Sequence, residues 1–423
     1  MGRLSAAAGT LVGTRRISLT RARVLGVLYL LAAAFTILWF GSRAEPGTTA
    51  TFGLSGGGTE VPDVAVPVRG GMWAFALVLA VLGGVQVVRG FGRRTYLVLG
   101  VVVGVFIIAA LTYAARDDSL NLVAMLNSTL LRAVPLTLGA MSGVLCERSG
   151  VINIAIEGMF LAAAFTGAIV GSATGSLWIG LIAGVLSGAL LGALLAVLSI
   201  RYRVNQIVGG TVINILSIGL TSFLSAKVLS EFQHLNNPGR FQVKEVPLLS
   251  DIPVMGPVLF RNNAFVYLMF ALLFILQMAL FRTRWGLRVR AVGEHPRAAD
   301  TVGIRVQFER YRSVILGGMM AGLGGAFFTL GSVGRFDEGM TGGRGFIALA
   351  AMIFGRWSPI GAFGAALVFG FADSLQTRLA ILETGVPSEF LLMAPYVATI
   401  LVVAGVVGRA RPPAADGLPY VTE

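Results

Sequence analysis

The sequence predicts an all-α fold, a polytopic membrane bundle of about 10–12 spans that include broken or re-entrant helices. Hydrophobic residues make up 56% of its 423 residues and charged residues 13%, and the mean hydropathy is +0.82. Soluble domains carry about 25% charged residues, so this chain has too little charge to cover a surface that faces only water. Its apolar residues also occur in runs close to the roughly 20 that an α-helix needs to cross a bilayer.

This composition excludes a soluble enzyme and a disordered protein. Cys146 is the only cysteine, so neither an internal disulfide nor a thiolate metal cluster can form. The formal net charge of +13 would suggest nucleic acid as the partner of a soluble protein. In a membrane protein such a charge first reflects topology, and we predict no nucleic-acid partner.

Seven apolar runs predict complete spans, namely Val24–Phe40, Met72–Val88, Thr95–Tyr113, Ser176–Ile200, Val204–Leu229, Ala264–Phe281 and Ser313–Gly331. Five shorter or interrupted runs predict further spans or partial spans, namely Val134–Cys146, Val151–Val170, Gly345–Phe354, Ile360–Leu375 and Leu392–Val407. The first run has the basic flank of a signal peptide, but it is long and no clear small-x-small cleavage site follows. We interpret it as an anchor helix.

The distribution of arginines predicts the orientation of these spans. With the amino terminus inside, 22 of the 33 basic residues fall on the cytoplasmic side, and that side has a net charge near +16. The outer loops hold eleven basic and twelve acidic residues. Because cytoplasmic loops are enriched in Lys and Arg, we predict a multi-pass protein of the cell membrane with both termini in the cytoplasm.

Three regions are predicted along the chain. Residues 1–118 form an amino-terminal region of about three helices, in which the outer loop 41–71 is rich in Gly and Thr and is expected to be flexible. Residues 119–408 form the main body, with a cytoplasmic segment at 282–312. Residues 409–423 form a cytoplasmic tail that contains Pro412 and Pro413 and is expected to be disordered.

Two acidic residues lie within predicted spans, where ionisable groups are costly and mark functional candidates. Glu157 follows a polar approach to the span Val151–Val170, and Asn153 lies one turn earlier on the same face. The approach predicts a broken helix, whose backbone must be buried in protein or line water. Glu157 is therefore either part of a pathway wall or a structural partner of a neighbouring helix. Asp373 is the second intramembrane carboxylate.

A polar stripe follows one face of the span Val204–Leu229. Its members recur at spacings of three or four residues and are Gln206, Gly210, Asn214, Ser217 and Thr221. These groups either line a cavity for a polar neutral solute or hydrogen-bond neighbouring helices. We assign Gln206 and Asn214 to the pathway and Ser217 and Thr221 to helix contacts.

Small residues form a ridge along the span Ser176–Ile200. Every fourth residue is glycine at Gly180, Gly184, Gly188 and Gly192. Such a ridge allows another helix backbone to approach closely, so we predict a packing role for it.

The cytoplasmic segment 282–312 carries eight arginines. Pro296 can begin a short helix there and Gly303 can end it, which is the favoured asymmetry of helix ends. A small capped helix between two long spans suits the docking of another protein, although an ordinary positive-inside loop is the alternative.

Several catalytic motifs do not occur in the sequence. The two lysines, Lys227 and Lys244, follow Ala226 and Val243, so there is no Gly-Lys-Ser/Thr phosphate loop. The two histidines, His234 and His295, lie in an outer and an inner loop and cannot form a His-Glu-x-x-His zinc site. We predict no catalytic residue, no metal site and no cofactor in this chain.

Three segments resemble one permease family: 149–158 (SGVINIAIEG), 286–304 and 346–359 (FIALAAMIFGRWSP). This family comprises the membrane subunits of bacterial ATP-binding-cassette importers for nucleosides, simple sugars and branched-chain amino acids. The stretches 204–221 (VNQIVGGTVINILSIGLT) and 387–404 (PSEFLLMAPYVATILVVA) are most similar to the nucleoside-type branch. The resemblance spans about residues 119–408 and does not include the amino-terminal helices.

The resemblance implies an assembly with two permease subunits, often different paralogues, two cytoplasmic ATPase subunits and an extracytoplasmic solute-binding lipoprotein. ATP and Mg²⁺ would bind the ATPase subunits, and the solute would be a nucleoside or a related small polar molecule. The segment 286–303 is similar to the family's ATPase-contacting stretch. The residues that this similarity assigns to coupling are Gly286, Arg288, Arg290, Gly293, Glu294, Pro296 and Gly303.

Two other classes of protein remain as alternatives. A secondary transporter driven by an ion gradient would also use broken helices and an intramembrane carboxylate such as Glu157 or Asp373. An intramembrane enzyme would need a nucleophile–base pair or a metal set, which the sequence does not display.

Overall fold

The computed structural model describes residues 19–56, 60–381 and 411–421. The described residues divide into two units, which are treated separately below. Residues 19–55, 60–122 and 381 belong to the first unit, and residues 56, 123–380 and 411–421 belong to the second.

The first unit contains three long helices and a small sheet. Its helices are α1 (Leu19–Phe35, continued by a π-helical turn at Thr36–Gly41), α2 (Val68–Val88) and α3 (Thr95–Ala114). Its strands are β1 (Thr49–Gly53), β2 (Val64–Pro67) and β3 (Ser119–Asn121), in the order β2-β1-β3. Tyr29, Leu79 and Val102 are buried where the helices pack together.

The prediction of a flexible outer loop at 41–71 is wrong where the segment forms β1, β2 and the start of α2. β1 pairs antiparallel with β2, where Thr51 lies opposite Ala65, and parallel with β3, where Phe52 lies opposite Leu120. Phe52 and Leu120 are buried. The alternation of buried and exposed residues along β1 covers only five positions, and the surrounding Gly and Thr residues hide it in the sequence.

The second unit is built from helices. They are α4 (Leu122–Arg148), α5 (Ile156–Thr174), α6 (Leu177–Ala196), α7 (Gln206–Leu224), α8 (Met255–Leu259), α9 (Ala264–Arg282), α10 (Arg284–Glu294), α11 (Pro296–Thr301), α12 (Val306–Ala326), α13 (Arg344–Phe354) and α14 (Pro359–Ile381). π-Helical turns extend α6 to Arg201, α7 to Leu229 and α12 to Val333. A short hairpin pairs β4 (Lys244–Glu245) with β5 (Arg261–Asn262).

The prediction of a polytopic helical bundle is confirmed. Ten helices among the described residues are long and apolar enough to span a membrane, and α13 is a shorter apolar helix. The predicted span Leu392–Val407 lies outside the described residues. α4 begins at Leu122 rather than at the predicted Val134, and the polar residues Asn127, Ser128 and Arg132 interrupt the apolar run in its first half.

The glycine ridge of α6 lies between two neighbouring helices. A Cβ atom added to Gly180 would lie 2.7 Å from the carbonyl oxygen of Gly167 on α5. A Cβ atom added to Gly188 would lie 2.3 Å from the carbonyl oxygen of Gly318 on α12. Cβ atoms added to Gly184 and Gly192 would lie 3.0 Å from the carbonyl oxygen of Ala163 on α5 and 2.9 Å from that of Val314 on α12. The three backbones therefore pack at distances that only glycine permits.

Candidate translocation and coupling sites

A non-helical break, residues 149–155, separates α4 from α5. Gly150 has a φ of +87°, a left-handed conformation that glycine adopts without strain. The N–H groups of Ser149 and Val151 both donate to the carbonyl of Cys146, so the chain turns tightly off the end of α4. The break is buried in protein, as an irregular backbone at membrane depth must be.

Two amide side chains hold the start of this break. Gln206 Oε1 accepts a hydrogen bond of 2.7 Å from the Ile152 N–H. Asn153 Oδ1 accepts from the Ala155 N–H at 3.1 Å, and Asn153 Nδ2 donates to Ser142 Oγ at 3.2 Å. Both side chains are at most 5% exposed. Their polar groups therefore replace the backbone partners that the broken helix lacks.

Asn214 holds the end of the break. Its Nδ2 donates to the Ile154 carbonyl at 3.0 Å, and its Oδ1 accepts from the Gly158 N–H at 2.8 Å. A Cβ atom on Gly158 would lie 2.9 Å from Asn214 Cα, so this contact depends on glycine. The structure thus brings Asn153, Gln206 and Asn214 together around one segment, each bonded to protein groups.

Glu157 fastens α5 to the loop that begins α13. Its carboxylate accepts hydrogen bonds from Thr341 Oγ1 at 2.6 Å, from the Gly343 N–H at 2.8 Å and from the Gly345 N–H at 2.6 Å. The side chain is 7% exposed. The free N–H groups and the dipole at the start of α13 favour a negative charge at this position. These contacts are those of a structural partner of a neighbouring element.

Asp373 lies apart from this cluster and pairs with two arginines. Arg132 Nη1 on α4 forms an ion pair with Asp373 on α14, and Arg132 Nη2 donates to Thr377 Oγ1 at 3.0 Å. Arg344 Nη2, at the start of α13, lies 3.9 Å from Asp373 Oδ2. The side chains of Arg132 and Asp373 are 31% and 28% exposed. This arginine–aspartate cluster therefore keeps an open side.

The sequence alone does not indicate the two arginines of this cluster. Both fall in predicted outer loops, because the predicted spans begin at Val134 and Gly345. α4 in fact begins at Leu122, which places Arg132 about 15 Å along the helix at 1.5 Å per residue. The partners are 241 positions apart in the chain, so no local spacing could have indicated the pair.

The segment 282–312, which is predicted to be cytoplasmic, contains two short helices, α10 and α11, joined at His295. Pro296 occupies the first turn of α11, and Gly303 follows its end with a φ of +83°, as predicted from the sequence. Arg288 is exposed, whereas Arg290 is half-buried with its guanidinium carbon 5.2 Å from the centre of the Phe281 ring.

Two glycines allow α10 to pack closely against α9 and the end of α4. A Cβ atom on Gly286 would lie 2.2 Å from the Ala279 carbonyl oxygen of α9. A Cβ atom on Gly293 would lie 2.2 Å from the Arg148 carbonyl oxygen at the end of α4. The segment therefore rests directly beside the break at 149–155.

Large apolar side chains project from the cytoplasmic segment. Leu287, Val302 and Phe308 are 62%, 76% and 60% exposed. Exposed apolar groups beside charged ones are a usual feature of protein contact surfaces. We call these three residues the apolar patch.

The prediction of a disordered tail is wrong for residues 411–421. The Ala415 N–H donates to the Gly293 carbonyl at 2.9 Å, and the Gly417 N–H donates to the Gly150 carbonyl at 3.3 Å. Pro413 and Ala415 are buried. The tail is ordered because its backbone finds carbonyl partners far away in sequence, which its composition does not reveal. Residues 409, 410, 422 and 423 lie outside the described part.

The chain is similar to known transport proteins. The sequence model of the family described as "Branched-chain amino acid transport system / permease component" matches residues 125–407. The "Guanosine ABC transporter permease protein NupQ" of Bacillus subtilis is 42% identical over 303 residues, which cover 70% of this chain and 95% of that protein. The "Nucleoside ABC transporter permease protein NupC" of Lactococcus lactis is 38% identical over 301 residues, 69% of this chain and 95% of that protein.

A further relative is less similar to this chain in sequence. The "Guanosine ABC transporter permease protein NupP" of Bacillus subtilis is 24% identical over 296 residues, which cover 67% of this chain and 83% of that protein. No solved structure matches the chain.

Proposed function

Since the chain belongs to the family of branched-chain amino acid transport system permease components, and is the membrane permease subunit of an ATP-binding-cassette importer, we propose that it imports a nucleoside. It is a multi-pass membrane protein and a transport component rather than an enzyme. The family relationship decides against the ion-gradient-driven alternative. The observation that carries the nucleoside assignment is the similarity to NupQ and NupC, both named for nucleoside transport, over 95% of each.

The family implies ATPase subunits, a solute-binding protein and a second permease. We propose that the second permease is a paralogue rather than a second copy. Bacillus subtilis contains both NupQ and NupP, and the chain is 42% identical to one and 24% identical to the other. The binding protein would be a lipoprotein on the outer face, and both termini of the chain would face the cytoplasm.

The arginine–aspartate cluster of Arg132, Asp373 and Arg344 is our candidate for solute contact. It lies within the spans, and partly exposed ionisable groups at that depth usually face a pathway. Guanidinium donors and a carboxylate acceptor suit the hydroxyl groups and base edges of a nucleoside. We propose that Asn153, Gln206 and Asn214 act indirectly by shaping the break, while Glu157 fixes the loop that carries Arg344.

The cytoplasmic segment is our candidate for ATPase contact. The segment exposes the apolar patch on α10, just after α11 and at the start of α12, and α10 lies against the end of α4 beside the break. Movement of the ATPase subunits on ATP binding would shift α10 and thereby the break, so that the cavity between the permeases opens alternately to the two sides. Gly286 and Gly293 would set the position of α10, and Arg288, Arg290 and Glu294 would contact the partner or orient the segment.

Reconstitution tests the proposed function. Proteoliposomes that contain this chain, its paralogue, the ATPase subunits and the binding protein should take up radiolabelled guanosine or uridine when ATP is supplied. Uptake of glucose or leucine under the same conditions should stay at background. Liposomes without ATP, and liposomes without the binding protein, serve as controls. Glucose or leucine uptake in place of nucleoside uptake would overturn the solute assignment, and uptake abolished by an uncoupler would overturn the ATP-driven mechanism.

A further inference from the structure

We propose that the tail, residues 411–421, is a positioning element that holds the coupling segment to the break, so that movement of α10 reaches residues 149–155. The proposal rests on the proposed function, because it concerns how the ATPase subunits drive this permease. It assigns a role in transport to a stretch that lies outside the match to the family, which ends at residue 407.

The tail bonds to both parts that must move together. The Ala415 N–H donates to the Gly293 carbonyl at the end of α10, and the Gly417 N–H donates to the Gly150 carbonyl in the break. These tail residues are two positions apart, so one short turn spans the two structures. A segment attached at only one of them would leave the other free to move independently.

Side chains on three further elements secure the tail. Arg310 Nη1 on α12 donates to the Leu418 carbonyl at 2.9 Å. The Tyr420 hydroxyl donates to Asp300 Oδ2 on α11 at 2.7 Å, and its ring packs against a cluster that contains Val292. The Ala414 N–H donates to Glu294 Oε2 at 3.1 Å. The tail therefore contacts α10, α11 and α12 as well as the break.

The charged centre of the contact is buried and not fully paired. The carboxyl group of Asp416 lies beside that of Glu147 at the end of α4. Arg310 is 2% exposed, and its Nε and Nη2 atoms have no hydrogen-bond partner among the described residues, nor does Asp416 Oδ1. Buried donors and acceptors without partners are costly.

The close steric fit between the tail and the break also indicates a specific contact. A Cβ atom on Gly150 would lie 2.8 Å from Arg310 Nη2 and 3.0 Å from the Ala415 carbonyl oxygen. A Cβ atom on Gly417 would lie 2.7 Å from Ile152 Cδ1, within the break. Glycine occupies both sides of the interface at the points where the two backbones approach most closely.

The test uses the complete reconstituted transporter and two changes confined to the tail. Ala415→Pro removes the N–H that bonds Gly293, and a chain ending at residue 410 removes the whole tail. Val421→Ala, at an exposed position, is the matched control. We expect both changes to lower the number of solute molecules transported per ATP hydrolysed at least fivefold, while the ATPase subunits still co-purify with the permease. Val421→Ala should stay within twofold of the original chain.

Hydrogen exchange supplies a second readout that needs no solute. Peptides covering residues 149–155 should exchange at least fivefold faster in the Ala415→Pro complex than in the original complex. Unchanged exchange together with unchanged transport per ATP would overturn the proposal. So would loss of ATPase co-purification, because the tail would then be a docking surface. Failure of the original chain to transport nucleosides would refute the proposed function instead, and the exchange measurement would still decide the role of the tail.

Discussion

The Gly345 backbone N–H donates a hydrogen bond of 2.6 Å to the Glu157 carboxylate, and this contact joins α5 to the start of α13. Gly343 and Thr341 donate to the same carboxylate. A glutamine at this position could accept fewer of these bonds and would lack the negative charge that favours them. Glu157→Gln should therefore lower the free energy of unfolding by about 1–3 kcal/mol, measured as a fall in the thermal transition of the purified protein.

Glu338→Gln is the matched control for Glu157, because Glu338 is an exposed acid in the same loop. It should leave the thermal transition unchanged. If Glu157→Gln abolished transport while leaving the thermal transition unchanged, Glu157 would be a pathway residue and not a structural partner.

Asn214 is expected to be structural as well. Asn214→Leu keeps the branched shape of the side chain but leaves the Gly158 N–H and the Ile154 carbonyl without partners. We expect a loss of about 2 kcal/mol, since each buried polar group left unpaired costs roughly 1–3 kcal/mol. Thr211→Val, on the exposed face of the same helix, should have little effect on the thermal transition. A raised KM with an unchanged thermal transition would instead place Asn214 in contact with solute.

The Arg132–Asp373 pair should determine solute affinity. Arg132→Gln and Asp373→Asn should each raise the KM for nucleoside uptake about tenfold, which corresponds to roughly 1.4 kcal/mol. Each change leaves a charge unpaired at membrane depth, so the double variant should be more stable than the two single effects predict. Arg378→Gln on the same helix should keep KM within twofold. A KM unaffected by either single change would remove this pair from the pathway.

Hydropathy and local sequence motifs were sufficient to predict several features of the fold. The spans, the break before α5 and the Pro296-to-Gly303 helix each depend on a few neighbouring residues. The sequence also picked out Gln206 and Asn214, because a lone amide on an apolar helix is conspicuous. It assigned both to the pathway, whereas their hydrogen bonds are to backbone groups of the break and of α5.

Contacts between residues that are far apart in the sequence could not be predicted from hydropathy and local motifs. Arg132 meets Asp373, and Ala415 meets Gly293, across more than 100 residues each. Both partners in each case have unremarkable neighbours, and the tail resembles a linker in composition. The sheet in the first unit was not predicted for a related reason. β1 is short and pairs with β3, which lies some 70 residues further along the chain.

The apolar patch should govern attachment of the ATPase. Val302 is 76% exposed, so Val302→Glu should not disturb the fold but should place a charge in the contact. We expect at least a tenfold loss of co-purified ATPase, because a buried unpaired charge is strongly unfavourable at an interface. Gln307→Glu adds the same charge at an exposed polar position of the segment and should retain the ATPase. Equal retention in both variants would place the docking surface elsewhere.

Attachment of the tail should weaken as the pH rises. Burial raises the pKa of Asp416 from its ordinary 3.8 to about 6, although hydrogen bonds and the charge of Arg310 partly offset this effect. A carboxyl whose pKa is higher in the bound tail binds best when protonated. Its contribution to the attachment of the tail is fully present below about pH 4 and is lost as the pH rises through 6. The titratable groups that interact with Asp416 are Glu147, Arg310 and the buried Cys146.

A spin label can measure this effect, because Cys146 is the only native cysteine and is buried. Val421→Cys offers an exposed labelling site at the end of the tail. The label should become more mobile between pH 5 and pH 7.5, and the change should reverse when the pH is lowered. With Asp416→Asn added, the side chain at 416 no longer titrates, so the change in mobility should be much smaller. An equal pH response in the two labelled proteins would show that Asp416 does not control attachment of the tail.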